Sequence, residues 1–88
     1  DIGTWAKLDR GRAPDAAGNV LVGDPVAVDC TNSFIYNDAG ARVAVGVVGV
    51  VDTVVIATED AVLVVPKDRV QDVRAVVEEL KRRDAPQR

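Results

Sequence analysis

Between Val43 and Val65 the chain reads VAVGVVGVVDTVVIATEDAVLVV, with no Lys or Arg and only Asp52, Glu59 and Asp60 charged. Apolar positions are too dense here for a surface segment, and valine in place of Leu, Glu or Lys favours strand over helix. Gly46, Gly49, Asp52 and Glu59-Asp60 interrupt the run, so it predicts several short strands joined by turns, and a β core. Upstream, residues 9–19 (DRGRAPDAAGN) have no periodicity and read as loop. Val20-Leu21-Val22 begins the apolar pattern after a tight turn at Gly18-Asn19, and Gly23-Asp24-Pro25 breaks it. Pro25 has no N–H to give to a ladder, which places it at a strand start or an edge. Val26 and Val28 alternate with Ala27 and Asp29 as a short half-buried strand. Thr31-Asn32-Ser33 turns the chain, Phe34-Ile35-Tyr36 forms the next strand, and Asn37–Gly40 turns it again before a strand over Arg42–Val45.

The strands recur. Val26 to Val43 is 17 residues, while Val43 to Leu63 and Ile35 to Val55 are each 20. Short strands at such spacing, with polar corners between them, fit a solenoid whose coils stack in parallel. They also fit an antiparallel meander with hairpins at Asn37–Gly40 and Glu59-Asp60, and periodicity alone leaves both open. After Val65 the period changes. Pro66 ends the strand, and Asp68 with Gln71 three residues on predicts a capping box. Val70, Val73, Val76, Val77 and Leu80 then fall on one face of a helix over Asp68–Arg83, which predicts an amphipathic helix docked on the β core. Lys81-Arg82-Arg83 complements the C-terminal end of its dipole and reads as a solvated helix end.

Composition sharpens this picture. At 88 residues the chain is one domain or part of one. Valine occurs 19 times, while Phe, Tyr and Trp occur once each and Met not at all, which suits narrow regular stacking. The net charge of −3 offers no footprint for nucleic acid, and seven of the 11 basic residues lie at or after Lys67. No apolar run is long enough to span a membrane, and no signal peptide is visible, so a cytoplasmic setting is expected. The chain lacks an initiator Met and opens at Asp1, as expected for a fragment of something longer.

Candidate chemistry is sparse. With no His and a single Cys30, neither a conventional metal cluster nor an internal disulfide is expected. No nucleophile elbow or glycine-rich phosphate loop is present. Cys30 sits among turn residues without a His partner and reads as a small apolar group, buried or half-buried. Glu59-Asp60, Asp24 and Asp52 read as polar corners, with Asp60 expected to bond local backbone amides.

Two segments together resemble the C-terminal part of bacterial mannose-1-phosphate guanylyltransferases. The first is DIGTW at 1–5, followed by a loop and GNVLVGDPVAVDCTNSFIY at 18–36. The second is VAVGVVGVVDTVVIATEDAVLVVPKDRVQDVRAVVEELK at 43–81. The resemblance implies a mainly β fold: a short left-handed β-helix of solenoid-like coils followed by one C-terminal amphipathic α-helix. It implies that residues 1–17 are the end of the nucleotidyltransferase domain plus a linker, and that 18–88 are the β-helix domain with its terminal helix. Such enzymes make GDP-mannose and pyrophosphate from GTP and mannose 1-phosphate with Mg²⁺, and their β-helix carries interdomain and dimer contacts.

Asp1 matches an Asp that helps hold the metal in that family. Alone it cannot complete a Mg²⁺ site, which needs several oxygens in octahedral geometry, and a free α-amino group on the same residue would repel a cation. The glycine-rich GTP loop, the acidic metal partner and the sugar-binding residues lie in a region absent here. AKLDRGRA after Trp5 lacks a second aromatic, and the single-function type, without the phosphomannose-isomerase module of longer relatives, is expected. The expectation is therefore a non-catalytic assembly portion, inactive by itself. It would contact its own catalytic domain and a second subunit, and neither nucleic acid nor membrane. The alternative from another class is a free-standing β module that binds a protein partner and has no enzymatic parent. A small-molecule sensor has no convergent polar pocket in its favour.

Overall fold

Branching at Cβ suits valine to extended backbone, and the valine-rich chain forms short strands throughout its middle. The computed structural model describes residues 13–38, 40, 42–84 and 86. In chain order these contain β1 (Val20–Val22), β2 (Val26–Val28), β3 (Phe34–Asp38), β4 (Gly46–Val48), β5 (Thr53–Thr58) and β6 (Val62–Pro66). A 3₁₀ segment (Lys67–Asp72) then leads into α1 (Val73–Arg82).

From β1 to β5, strands consecutive in sequence belong to different sheets. β1, β3 and β5 pair in parallel in the first sheet, and β2 pairs in parallel with β4 in the second. A parallel bridge between Thr31 and Val51 marks a third side. The chain therefore coils. Ile35↔Val55, Val26↔Gly46 and Thr31↔Val51 are all 20 residues apart, whereas the first coil is shorter, with Val20 opposite Phe34.

The expected 20-residue step from Ile35 to Val55 is met to the residue. The other two spacings are not coil repeats. Val26 pairs with Gly46 rather than near Val43, because the connection after β3 is long and displaces the strand from 42–45 to 46–48. Gly46 is thus inside a strand and not at a corner. Leu63 faces Ile56 across an antiparallel pair, because β6 turns back on β5. The hairpin expected at Glu59-Asp60 forms, and the one at Asn37–Gly40 does not, since that connection crosses to the second sheet.

Pleating gives the first sheet two buried faces. Phe34, Val54, Ile56, Leu63 and Val65 pack on one side with Val73 of α1. Ile35 and Val55 point the other way and pack with Cys30 and Val47 inside the coils. Burying a Val or Leu side chain stabilises by about 1.5–3 kcal/mol, so β5, buried on both faces over Val54–Ala57, is the centre of the domain. The helix uses less of its apolar face than the spacing predicts. Val73 is buried and Val70 and Val77 pack in part, but Val76 is 44% exposed. The predicted capping box is also absent. Lys67–Asp72 is a 3₁₀ segment kinked at Arg69, and α1 begins only at Val73, with no side-chain cap at Asp72. The Lys67 N–H donates to the Asp52 carbonyl at 2.8 Å, which ties this first turn to a corner of the coil.

Candidate functional site

The polar residues of the coil converge on one corner. The register stacks Gly18 on Asn32 and Asn32 on Asp52, and all three are left-handed, with φ of 83°, 50° and 52°. Asn and Asp tolerate this region better than other residues with a Cβ, so three consecutive coils turn the same way with two different residue types beside glycine. The next position in each coil is Asn19, Ser33 and Thr53, and these form a hydrogen-bonded column. Asn19 is 5% exposed; its Nδ2 donates to the Cys30 carbonyl at 2.7 Å and its Oδ1 accepts the Ser33 N–H at 2.9 Å. Ser33, fully buried, donates from Oγ to the Thr31 carbonyl at 3.0 Å and accepts the Thr53 N–H at 3.2 Å. On the outside of the same corner, Asn32 Nδ2 donates to Asp52 Oδ1 at 2.7 Å and Lys67 Nζ donates to Asn32 Oδ1 at 3.3 Å. Every hydrogen bond named in this column joins one coil to the next, closes a single coil or serves the local turn. The chain pattern places Asn19 and Ser33 in turns and misses the column; its signal is a small polar pair recurring at the head of each coil.

The remaining candidates are structural too. Cys30 is buried, as expected, with Sγ directed at the Val28 and Val47 carbonyls (3.5 and 3.4 Å). Asp24 and Asp52 both occupy left-handed corners. Asp60 accepts from the Thr58 hydroxyl at 3.2 Å. At the helix end, Arg82 and Arg83 both engage Glu79. Those hydrogen bonds, Arg82's first, hold the Glu79 carboxyl below its ordinary value of 4.5. A lowered carboxylate favours the fold above its ordinary titration range and loses that contribution as pH falls through the lowered value. An NMR titration should place the Glu79 midpoint below 4.5, and the double change Arg82→Ala, Arg83→Ala should return it to the ordinary value. As an exposed pair it should change stability little.

Residues 23–80 match the model of the MannoseP isomerase/GMP-like beta-helix domain family. The chain belongs to that family. The chain is 43% identical over 81 residues to a mannose-1-phosphate guanylyltransferase of Escherichia coli K12, spanning 92% of this chain and 16% of that protein. It is 41% identical over 80 residues to the alginate biosynthesis protein AlgA of Pseudomonas aeruginosa, covering 91% of this chain and 16% of the relative. A crystal structure titled mannose-1-phosphate geranyltransferase, from Thermus thermophilus, superposes with a TM-score of 0.68 at 38% identity. That match covers 88% of this chain and 23% of the other. The chain therefore spans about a sixth of the curated relatives it matches.

The metal reading of Asp1 lies outside the described residues. Among the described residues, no three Asp, Glu, His or Cys side chains are grouped so as to hold a metal. These residues do not fit Mg²⁺, which needs several oxygen ligands at once. No described helix is long and apolar enough to cross a membrane.

Proposed function

We propose that this β-helix is the structural and assembly portion of a mannose-1-phosphate guanylyltransferase, and that its task is to hold surfaces together. The observation that carries the reading is the asymmetry of the matches: 92% of this chain but 16% of the E. coli enzyme. Conversion of GTP and mannose 1-phosphate to GDP-mannose and pyrophosphate, with Mg²⁺, then belongs to the parent chain in the cytoplasm. The domain contacts its own catalytic domain and a second subunit. Left-handed coiling is the finer reading of its fold and rests on the family resemblance. An amphipathic role for α1 is supported by Val73 and Val77 on its packed side and Arg74 and Glu78 in solvent.

The gene upstream of Asp1 tests the reading. It should encode a nucleotide-binding domain with a glycine-rich loop in the same frame, and a frame without one would sink the proposal. The 88-residue chain should form no GDP-mannose, whereas the longer polypeptide should. Light scattering should show the longer polypeptide associating as concentration rises; a monomer throughout would remove the second subunit.

A further inference from the structure

The coil stack ends unevenly. The first sheet continues through β5 to β6, but the second stops at β4. Val62 and Val64 lie opposite Ala57 and Val55 in the β5–β6 pair, so they project to the coil-interior side of the wall. Among the described residues no strand of the second sheet faces them, and they are 71% and 63% exposed. β4, in the coil before β5, has no strand partner beyond β2 among the described residues. The Val26 N–H donates to the Val45 carbonyl, and the Gly49 N–H donates to the Val28 carbonyl. Odd-numbered residues of this strand therefore direct their backbone groups at β2, and Gly46 and Val48 direct theirs away.

We propose that this step receives one extended strand, with apolar side chains at alternate positions, from the remainder of the same polypeptide. The proposal rests on the reading of the chain as part of a longer enzyme. Such a strand would bond the backbone of Gly46 and Val48 and lay its alternate side chains on Val62 and Val64, the usual logic of strand addition. The step is unguarded. Residues 43–51, VAVGVVGVV, contain no charge and no proline, the two devices that commonly protect an exposed edge. The opposite edge of the same sheet has both, since Asp24 and Pro25 precede β2 and Asp29 follows it.

Area selects the occupant. A free-standing dimer of standard size takes about 800 Å² and about 20–30 residues from each partner, and this step offers a three-residue edge and a few valines. A segment of the same chain needs far less, because tethering supplies an effective concentration on the order of millimolar. Polypeptide to supply it exists in the relatives, where the matched region is 16% of the E. coli protein.

Amide hydrogen exchange on the longer polypeptide tests this directly. Gly46 and Val48 should exchange about tenfold or more slowly than an open edge, with Val47, which faces β2, as the internal reference. Val64→Lys, at a position exposed in this domain, should release Gly46 and Val48 while leaving Val47 protected, and Val62→Lys should do the same. Fast exchange at Gly46 and Val48 in the unmutated polypeptide would overturn the proposal. So would protection that grows with protein concentration, which would assign the step to a second copy. An upstream frame without a nucleotidyltransferase domain would instead defeat the parent reading, whereas an unprotected edge beside such a domain defeats only the strand.

Discussion

Gly23→Ala is expected to cost about 3–5 kcal/mol, an exceptional value for one added methyl group. Gly23 has φ of 80°, and a Cβ built there would lie 2.0 Å from the Asn37 carbonyl oxygen and 2.9 Å from its carbon. Left-handed backbone alone costs a residue with a Cβ roughly 1–2 kcal/mol. The contact adds the larger part, because the obstructing atoms are backbone of the neighbouring coil, next to the β1–β3 ladder at Val22↔Tyr36. Relief requires separating two coils, and against a total stability of about 5–15 kcal/mol for a domain that is a large fraction. Gly49→Ala is the control. Its φ is 72°, but nothing lies within 4 Å of the added carbon, so only the backbone strain of about 1–2 kcal/mol applies. Urea unfolding should show a much lower midpoint for Gly23→Ala than for Gly49→Ala at a similar m-value. Equal midpoints would mean that the coil contact is not rigid.

Gly23 also shows where the sequence was legible and where it was not. Its neighbours Asp24 and Pro25 mark a break in the apolar pattern, so a corner was readable. That the corner abuts the next coil was not, because coil contact depends on register. Register was visible where inward side chains repeat in kind, as at Ile35 and Val55. It was lost across the connection between Asp38 and Gly46, whose length carries no hydrophobic mark, and there Val43 stood in for Gly46. A break after Thr58 was legible because Glu59-Asp60 is polar between two valine-rich runs, but periodicity left open whether it is a coil corner or the hairpin that forms.

The helix start misled for a different reason. Asp68 and Gln71 have the spacing of a capping box, but Lys67 is bonded to Asp52 and the turn there is 3₁₀; a tertiary contact overrode a local preference. Of the candidate site, resemblance named Asp1, and the pattern of the chain correctly read Cys30 as buried. The Asn19–Ser33 column was hidden because polar residues at turns normally face water, and here the turn is the inside corner of a stack.

That column sets the second large effect. Asn19→Leu keeps the branched four-atom skeleton of the side chain, with bulkier methyl ends, but removes the acceptor for the Ser33 N–H and the donor to the Cys30 carbonyl. Each backbone group left unsatisfied in a buried setting costs about 1–3 kcal/mol, so the substitution is expected to cost about 2–6 kcal/mol in a denaturant melt. Asn19→Asp separates the two bonds. The new carboxylate still accepts from Ser33 but faces the Cys30 carbonyl oxygen, 2.7 Å from the atom that Nδ2 now occupies, with no proton to offer. Burial and that oxygen both disfavour the charge, so the folded pKa of the new group is raised above its unfolded value of about 3.9. The sign follows: the penalty is absent below the unfolded value, where both states are protonated, and grows as pH rises through the folded one. The difference in unfolding free energy between Asn19→Asp and the unmutated chain should therefore shrink on acidification. A difference that stays flat from neutral to acid pH would show that residue 19 is hydrated, and that the corner is held by Ser33 and Thr53 alone.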